Sequence, residues 1–132
     1  MIVLLDDPGF DADAFAALWL AAWGGDPGKY LERVLPRSLC WVGAFDGSRP
    51  VGFVNVAWDG GAHAFLLDTL VHPDYRRQGI ASRVVRRAAE LAMIRGAEWL
   101  HVDYEPHLAS FYADCGFRPT QAGLIRLTEQ PS

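Results

Sequence analysis

The stretch from residue 62 to residue 104 constrains the fold most. AHAFLLDTLV at 62–71 and EWLHVDY at 98–104 are strand-like runs. Between them, over 80–95, Ile80, Ala81, Val84, Val85, Ala88, Leu91 and Ala92 recur at helical spacing on one face. Ser82, Arg83, Arg86, Arg87 and Glu90 fall on the other face, and Gly96 stops the helix. A connection of this length is no hairpin. It is a crossover, so the two strands run parallel and the helix lies on a face of the sheet.

The preceding residues predict an antiparallel meander. LCWVGAF (39–45), VGFVNVAW (51–58) and the 62–71 run are joined by Asp46-Gly47 and Asp59-Gly60-Gly61, which are hairpin turns in the making. Upstream, IVLL (2–5) reads as a strand. Asp11 caps a helix, ADAFAALWLAAW, that ends at Gly24-Gly25, and GKYLERVL (28–35) reads as a second helix closed by Pro36. Downstream, Pro106 opens a helix over 107–115 that aligns Leu108, Phe111, Tyr112 and Cys115, and a last strand is expected at 123–128. The order β-α-α-β-β-β-α-β-α-β predicts an α/β fold of mixed α+β type: a mixed, mostly antiparallel sheet with helices on both faces. No linker or repeat interrupts it, so residues 1–132 read as a single domain.

Composition removes several function classes. With 51% hydrophobic and 21% charged residues, the chain is globular in character. Its net charge of -4 argues against a nucleic-acid partner. No apolar run approaches the roughly 18 residues of a membrane span. The start turns acidic by Asp6, unlike a secretory signal, so a cytoplasmic protein is expected, with Cys40 and Cys115 as free thiols. The four histidines are scattered, and no metal site is expected.

The chemistry concentrates at 71–82, VHPDYRRQGIAS, where a strand gives way to a helix. Helix-opening amides lack intrahelical partners and carry the positive end of the dipole. Gly79 lets an anion approach the backbone, and Arg76 and Arg77 add charge-assisted donors. The pattern is neither a P-loop nor a dinucleotide-binding fingerprint. On these residues alone, a pyrophosphate cradle and a solvated Arg-Arg turn stand level.

The same residues resemble the acyl-CoA-binding motif of the GNAT superfamily of N-acetyltransferases: Arg76, two residues, Gly79, one residue, Ala81. HLASFYADCGF at 107–117 resembles the family's later motif, a helix carrying Tyr and ending in Gly-Phe. The clear resemblance spans about 67–117, and the motifs stand in family order. It implies a GNAT-like sheet of about six to seven strands, splayed between strands 62–71 and 98–104. The cosubstrate it implies is acetyl-CoA, its pantetheine arm against the backbone of Leu70 and Val71, and its pyrophosphate on Arg76, Arg77, Gln78, Gly79, Ile80, Ala81 and Ser82.

Tyr112 matches the family tyrosine that protonates the departing thiolate, a task that suits a hydroxyl general acid. Its bland alternative is a core aromatic beside Phe111. Asp68, three residues before Val71, is a candidate base or substrate contact, or a solvent-facing strand residue. Glu105 stands where many family members have Asn, as a helix cap or a substrate contact. Trp19 and Trp23 line an acceptor site or pack the core, and the Arg83, Arg86, Arg87 face of helix 80–95 reads as solvated surface or as a hold for the cofactor's 3′-phosphate. The resemblance implies acetyl transfer to a primary amine of a small molecule or protein by direct attack, since no serine or cysteine shows a nucleophile constellation. The competing reading is a non-catalytic acyl-CoA sensor or interaction module. The expected partners are acetyl-CoA and an amine acceptor, with no nucleic acid and no membrane; the apolar first helix fits burial or a homodimer equally.

Overall fold

A computed structural model describes residues 1–128. The chain divides into two compact units, 1–102 and 103–132.

In the first unit, β1 (Ile2–Asp6), β2 (Ser38–Asp46), β3 (Arg49–Trp58), β4 (His63–Val71) and β5 (Trp99–His101) form one sheet in the order β1-β2-β3-β4-β5. All neighbours are antiparallel except β4 and β5, which are parallel as the crossover requires. The meander forms because Gly47 and Gly60 supply the positive φ, 60° and 86°, that its turns demand.

Helices cover both faces of this sheet. α1 (Ala12–Trp23) starts where Asp11 Oδ2 accepts the amide of Ala14 at 2.9 Å, and ends where Gly24 takes φ 82°. Its Phe15 and Leu18 join Tyr30, Leu35, Phe53 and Leu70 in a buried cluster on one face. α3 (Ile80–Ile94) packs Ile80, Val84, Val85, Ala88, Leu91 and Ala92 onto the other, the stripe its periodicity predicts. Gly52, next to Phe53 on β3, is the contact point: a Cβ there would lie 2.7 Å from Ile80 Cγ2 and 3.1 Å from Ala44 Cβ. Only a glycine lets the start of α3 come this close to the sheet.

The arginine face of α3 is more than solvated surface. Arg87 donates from Nε and Nη2 to the two carboxylate oxygens of Asp6, at 2.9 and 2.7 Å, and from Nη1 to Glu90. Arg95 pairs with Asp7 at 2.6 Å. These pairs tie α3 to the end of the edge strand β1. Cys40 is a buried free thiol, and Cys115 is a free thiol half-buried.

Four expectations need correction. Among the described residues the sheet has five strands, not six to seven. Residues 123–128 join no ladder, and Leu124, Ile125 and Leu127 are exposed. Strand propensity there has no second apolar run beside it in sequence to make a hairpin, and an unpaired strand leaves its backbone unsatisfied. The 98–104 strand shrinks to Trp99–His101, because the residues ahead of Pro106 leave the ladder. The second helix is a single turn, α2 (Tyr30–Arg33), followed by a 3-10 turn at Leu35–Arg37, where Pro36 blocks continuation.

In the second unit the expected helix is a 3-10 turn, Pro106–Leu108, running into α4 (Ala109–Asp114). Gly116 closes it at φ 102°.

Candidate active site

β4 pairs with β5 only through His63, Phe65 and the residue between them, opposite Trp99, Leu100 and His101. From Leu66 to Val71 β4 runs on without a β5 partner. β5 ends at His101 with all three of its residues paired, so among the described residues β4 has a backbone edge, including Leu70 and Val71, that no strand of the sheet matches. Leu70 is buried and Val71 half-buried.

On its other side β4 carries a β-bulge. Phe53 faces Leu70 and Asn55 faces Leu67, so β4 has one residue more than β3 over this interval. Asp68 sits in it with φ 57°, a left-handed conformation that aspartate tolerates better than most residues. The bulge turns the half-buried Asp68 toward α2, where its Oδ2 accepts a 2.7 Å hydrogen bond from the hydroxyl of Tyr30. Burial, then the bond and charge of Asp68, push the Tyr30 phenol far above its ordinary pKa of 10.0; the nearby Asn55 amide acts weakly in the other direction. Asn55 is fully buried; its Oδ1 accepts a hydrogen bond from the Ser38 hydroxyl at 2.5 Å, while its Nδ2 has no hydrogen-bond partner among the described residues. A buried amide left half-satisfied costs free energy and marks a polar spot in an otherwise apolar layer.

Sequence reading missed Tyr30 and Asn55. The signal for Asn55 was present, a lone amide in the apolar run VGFVNVAW. Tyr30 gave none, because its partner lies 38 positions away.

Beyond Val71 comes the loop. His72 caps a 3-10 turn, Pro73–Tyr75, by accepting the amide of Asp74, and the Tyr75 hydroxyl donates to Asp46 at 2.5 Å. Both contacts anchor the loop's first half. Arg76, Arg77, Gln78 and Gly79 are exposed. Arg77 has φ 65° and Gly79 φ 75°. A left-handed arginine costs roughly 1 kcal/mol, a strain of the kind found at ligand sites. Gly79 is the N-cap of α3, and a Cβ there would meet nothing within 4 Å. Its glycine therefore serves conformation and open approach rather than internal packing. The first amide of α3 with an intrahelical acceptor is that of Arg83, bonded to the Gly79 carbonyl at 3.0 Å. Those of Ile80, Ala81 and Ser82 precede it and face the loop's opening.

In the second unit, Tyr112 is buried. Tyr104 stacks on it at 4.9 Å between ring centroids, and Phe111 and Phe117 meet it edge-on at 4.9 and 5.7 Å. Glu105 does not cap the turn that follows it; its carboxylate is exposed, 3.6 Å from His107. Among the described residues, no group of three or more His, Cys, Asp or Glu side chains could hold a metal ion.

A family model described as the acetyltransferase (GNAT) family matches residues 10–117. The chain belongs to this family. The matched region runs from just before α1 to the Gly116-Phe117 end of the tyrosine helix, so it includes β4 and β5, the Arg76–Ala81 loop and Tyr112. Over 59 residues the GNAT chain is 41% identical to glucosamine 6-phosphate N-acetyltransferase 1 of Oryza sativa, covering 43% of this chain and 36% of that enzyme. Over 64 residues it is 34% identical to mycothiol acetyltransferase of Mycobacterium ulcerans, covering 48% and 20%. It thus spans only a fifth to about a third of the length of these curated relatives. Among solved structures, a GNAT family protein of Streptococcus pneumoniae superposes with a TM-score of 0.80 at 26% identity, covering 98% of this chain and 100% of that one.

An acyl-CoA fits the residues of this GNAT chain. Open space over Gly79, free amides at 80–82 and two exposed arginines suit a diphosphate, and the unmatched β4 edge suits the amides of a pantetheine arm. No helix of the described residues is long and apolar enough to cross a membrane.

Proposed function

We propose that the protein transfers an acetyl group to the nitrogen of a primary amine, using acetyl-CoA. The observation that carries this reading is the coincidence on one strand of the unmatched edge at 66–71 with a bulge that presents Asp68. Acetyl-CoA, when bound, supplies the acetyl group as an activated thioester.

The chain's own residues then have three tasks. Arg76, Arg77 and the amides of Gln78, Gly79, Ile80, Ala81 and Ser82 hold the diphosphate, and the backbone of Leu70 and Val71 aligns the arm. Asp68 accepts the proton that the amine nitrogen must lose as the C–N bond forms and the C–S bond breaks. Tyr30 holds that carboxylate in one orientation. In the second unit, the Tyr112 hydroxyl holds the proton needed by the leaving sulfur, and Glu105 is a candidate acceptor contact. Positioning supplies most of the rate, since nothing here resembles a covalent nucleophile.

The test is release of free thiol from acetyl-CoA, read with a thiol-reactive dye, across a panel of primary amines, with product mass as a second readout. Acetylated amine appearing in step with thiol supports the reading. Acetyl-CoA binding without product from any amine overturns it and leaves an acyl-CoA sensor.

A further inference from the structure

α1 places Phe15, Trp19 and Trp23 four residues apart on one helical face. Their exposure rises along the helix, from the fully buried Phe15 through the half-buried Trp19 to Trp23, which is 52% exposed. Tyr30 lies against the inner end of this row, its ring 5.7 Å from Phe15 and 5.2 Å from Trp19; Trp23 meets Trp19 edge-on at 5.0 Å. The Tyr30 hydroxyl ends on Asp68 Oδ2. Among the described residues Oδ1 of Asp68 takes no hydrogen bond. An aromatic wall thus runs from solvent to an anionic carboxylate with one oxygen to spare. α1 has no basic residue in its last turn, and its C-terminal carbonyls add partial negative charge beside Trp23.

Resting on the acetyl-transfer reading, we propose that the acceptor is an ammonium carried on an apolar, aryl or alkyl body, with its charge at Asp68 and its body along Trp19 and Trp23. A carboxylate binds the ammonium through a charge-assisted hydrogen bond, and aromatic faces attract both cations and apolar groups. A sugar-like or heavily hydroxylated amine gains little from such a wall, because its hydroxyls lose water without finding partners. Asp68 and Tyr30 fix where the nitrogen sits; Trp23 is the specificity-determining residue.

The experiment is calorimetric titration of the coenzyme-free protein with 2-phenylethylamine, ethanolamine and 2-phenylethanol, repeated on Trp23→Ala and Asp68→Asn. Folding of each variant is checked by circular dichroism, and the exposure of Trp23 makes Trp23→Ala the safer of the two. 2-Phenylethylamine is expected to bind about tenfold tighter than either analogue, with most of that margin lost in both variants. Equal binding of ethanolamine, or unchanged affinity in Trp23→Ala, overturns the proposal. So does a failure of all three compounds to bind. Acetylation assays with the same amines separate the two readings. Selective binding of 2-phenylethylamine with no acetylated product sinks acetyl transfer and keeps the recognition site. Acetylation of ethanolamine as efficiently as 2-phenylethylamine, unchanged by Trp23→Ala, keeps transfer and sinks the recognition site.

Discussion

Tyr30 and Asp68, one on a single helical turn and the other in a strand bulge, are joined by a 2.7 Å hydrogen bond across 38 positions of sequence. The bond fixes the carboxylate that the proposed chemistry uses. Tyr30→Phe keeps the ring against Phe15 and Trp19 and removes only the hydroxyl. It should destabilise the protein by about 1.5–3 kcal/mol, as loss of a hydrogen bond to a charged group does, and lower kcat/KM for the amine more than for acetyl-CoA. A denaturation midpoint and separate saturation curves for the two substrates would check this. Unchanged stability together with unchanged amine kinetics would remove Tyr30 from the site.

Burial, with the bond to Asp68 second for Tyr30, shapes the alkaline side of the stability curve. Tyr30 is raised well above 10.0, and burial pushes the Cys40 thiol from 9.0 up to about 11. Both folded-state values exceed the unfolded ones. The unfolded chain therefore releases these protons first, and stability falls as pH rises past about 9 for Cys40 and about 10 for Tyr30. Thermal melts from neutral to strongly alkaline pH should show that decline, and Cys40→Ala should remove its earlier part. A wild-type melting temperature flat over this range would contradict it.

On the acid side the Arg87 clasp sets the behaviour. Arg87 holds Asp6 below its usual 3.8, against an opposing effect of burial. The folded value is depressed, so this contribution is whole above about pH 4 and is lost as pH falls through the lowered pKa. Arg87→Leu should flatten the acid limb of a melting-temperature profile, and added salt should weaken the wild-type effect, because both side chains are about a third exposed. Superimposable profiles for variant and wild type would show that the clasp contributes nothing.

At Gly79, strain and occupation can be told apart. Gly79→Ala adds only a methyl in open space but must hold φ 75°, which costs roughly 1 kcal/mol and leaves the approach clear. Gly79→Glu adds the same strain plus bulk and negative charge where a diphosphate is expected. Calorimetry with acetyl-CoA should find binding weakened in the first variant and abolished in the second. Equal affinity in both would dismiss the cradle.

Gly52→Ala should disturb the same loop from beneath. The new methyl would lie 2.7 Å from Ile80 Cγ2 and push the start of α3 off the sheet. Overpacking of this kind costs about 1–3 kcal/mol, and because Ile80 follows Gly79, affinity for acetyl-CoA should fall too. A variant as stable as wild type by chemical denaturation would show that α3 shifts freely.

Tyr112→Phe tests the leaving-group role. The ring would keep its stack on Tyr104, so folding should survive. Loss of a general acid predicts a fall in kcat of about a hundredfold with little change in KM. A kcat within twofold of wild type would make Tyr112 a packing residue.

Local signals made the scaffold legible. The Asp11 cap, the Asp-Gly turns and the 3.6-residue stripe of α3 each need only neighbouring residues, and all three formed as read. The loop and the tyrosine helix were legible as motifs. What escaped depends on distant partners. Strand propensity at 123–128 could not reveal that no ladder forms, nor could the run at 98–104 show where pairing with β4 stops. The Asp68 bulge arises from the register between two strands, and Tyr30 enters the site only because α2 folds back onto that bulge. Arg77 reads as a donor; its left-handed backbone could not be foreseen.

The bulge also governs the phase of β4. In an unbroken strand Leu66 and Leu70, four positions apart, would face the same way. Here Leu66 stands opposite Val56, on the side packed by α3, while Leu70 stands opposite Phe53 and belongs to the cluster under α1. The one additional residue inverts the alternation, so a single strand feeds both halves of the core. Deleting position 68 would therefore leave a regular ladder, with Leu67 opposite Asn55 and Leu70 still opposite Phe53, and would cost the strand only its kink and its carboxylate. The change that acts as a frameshift acts on a gene is one that keeps the residue but flattens the bulge: each side chain beyond it would then turn to the other face, and Leu70 would be withdrawn from beneath Phe15.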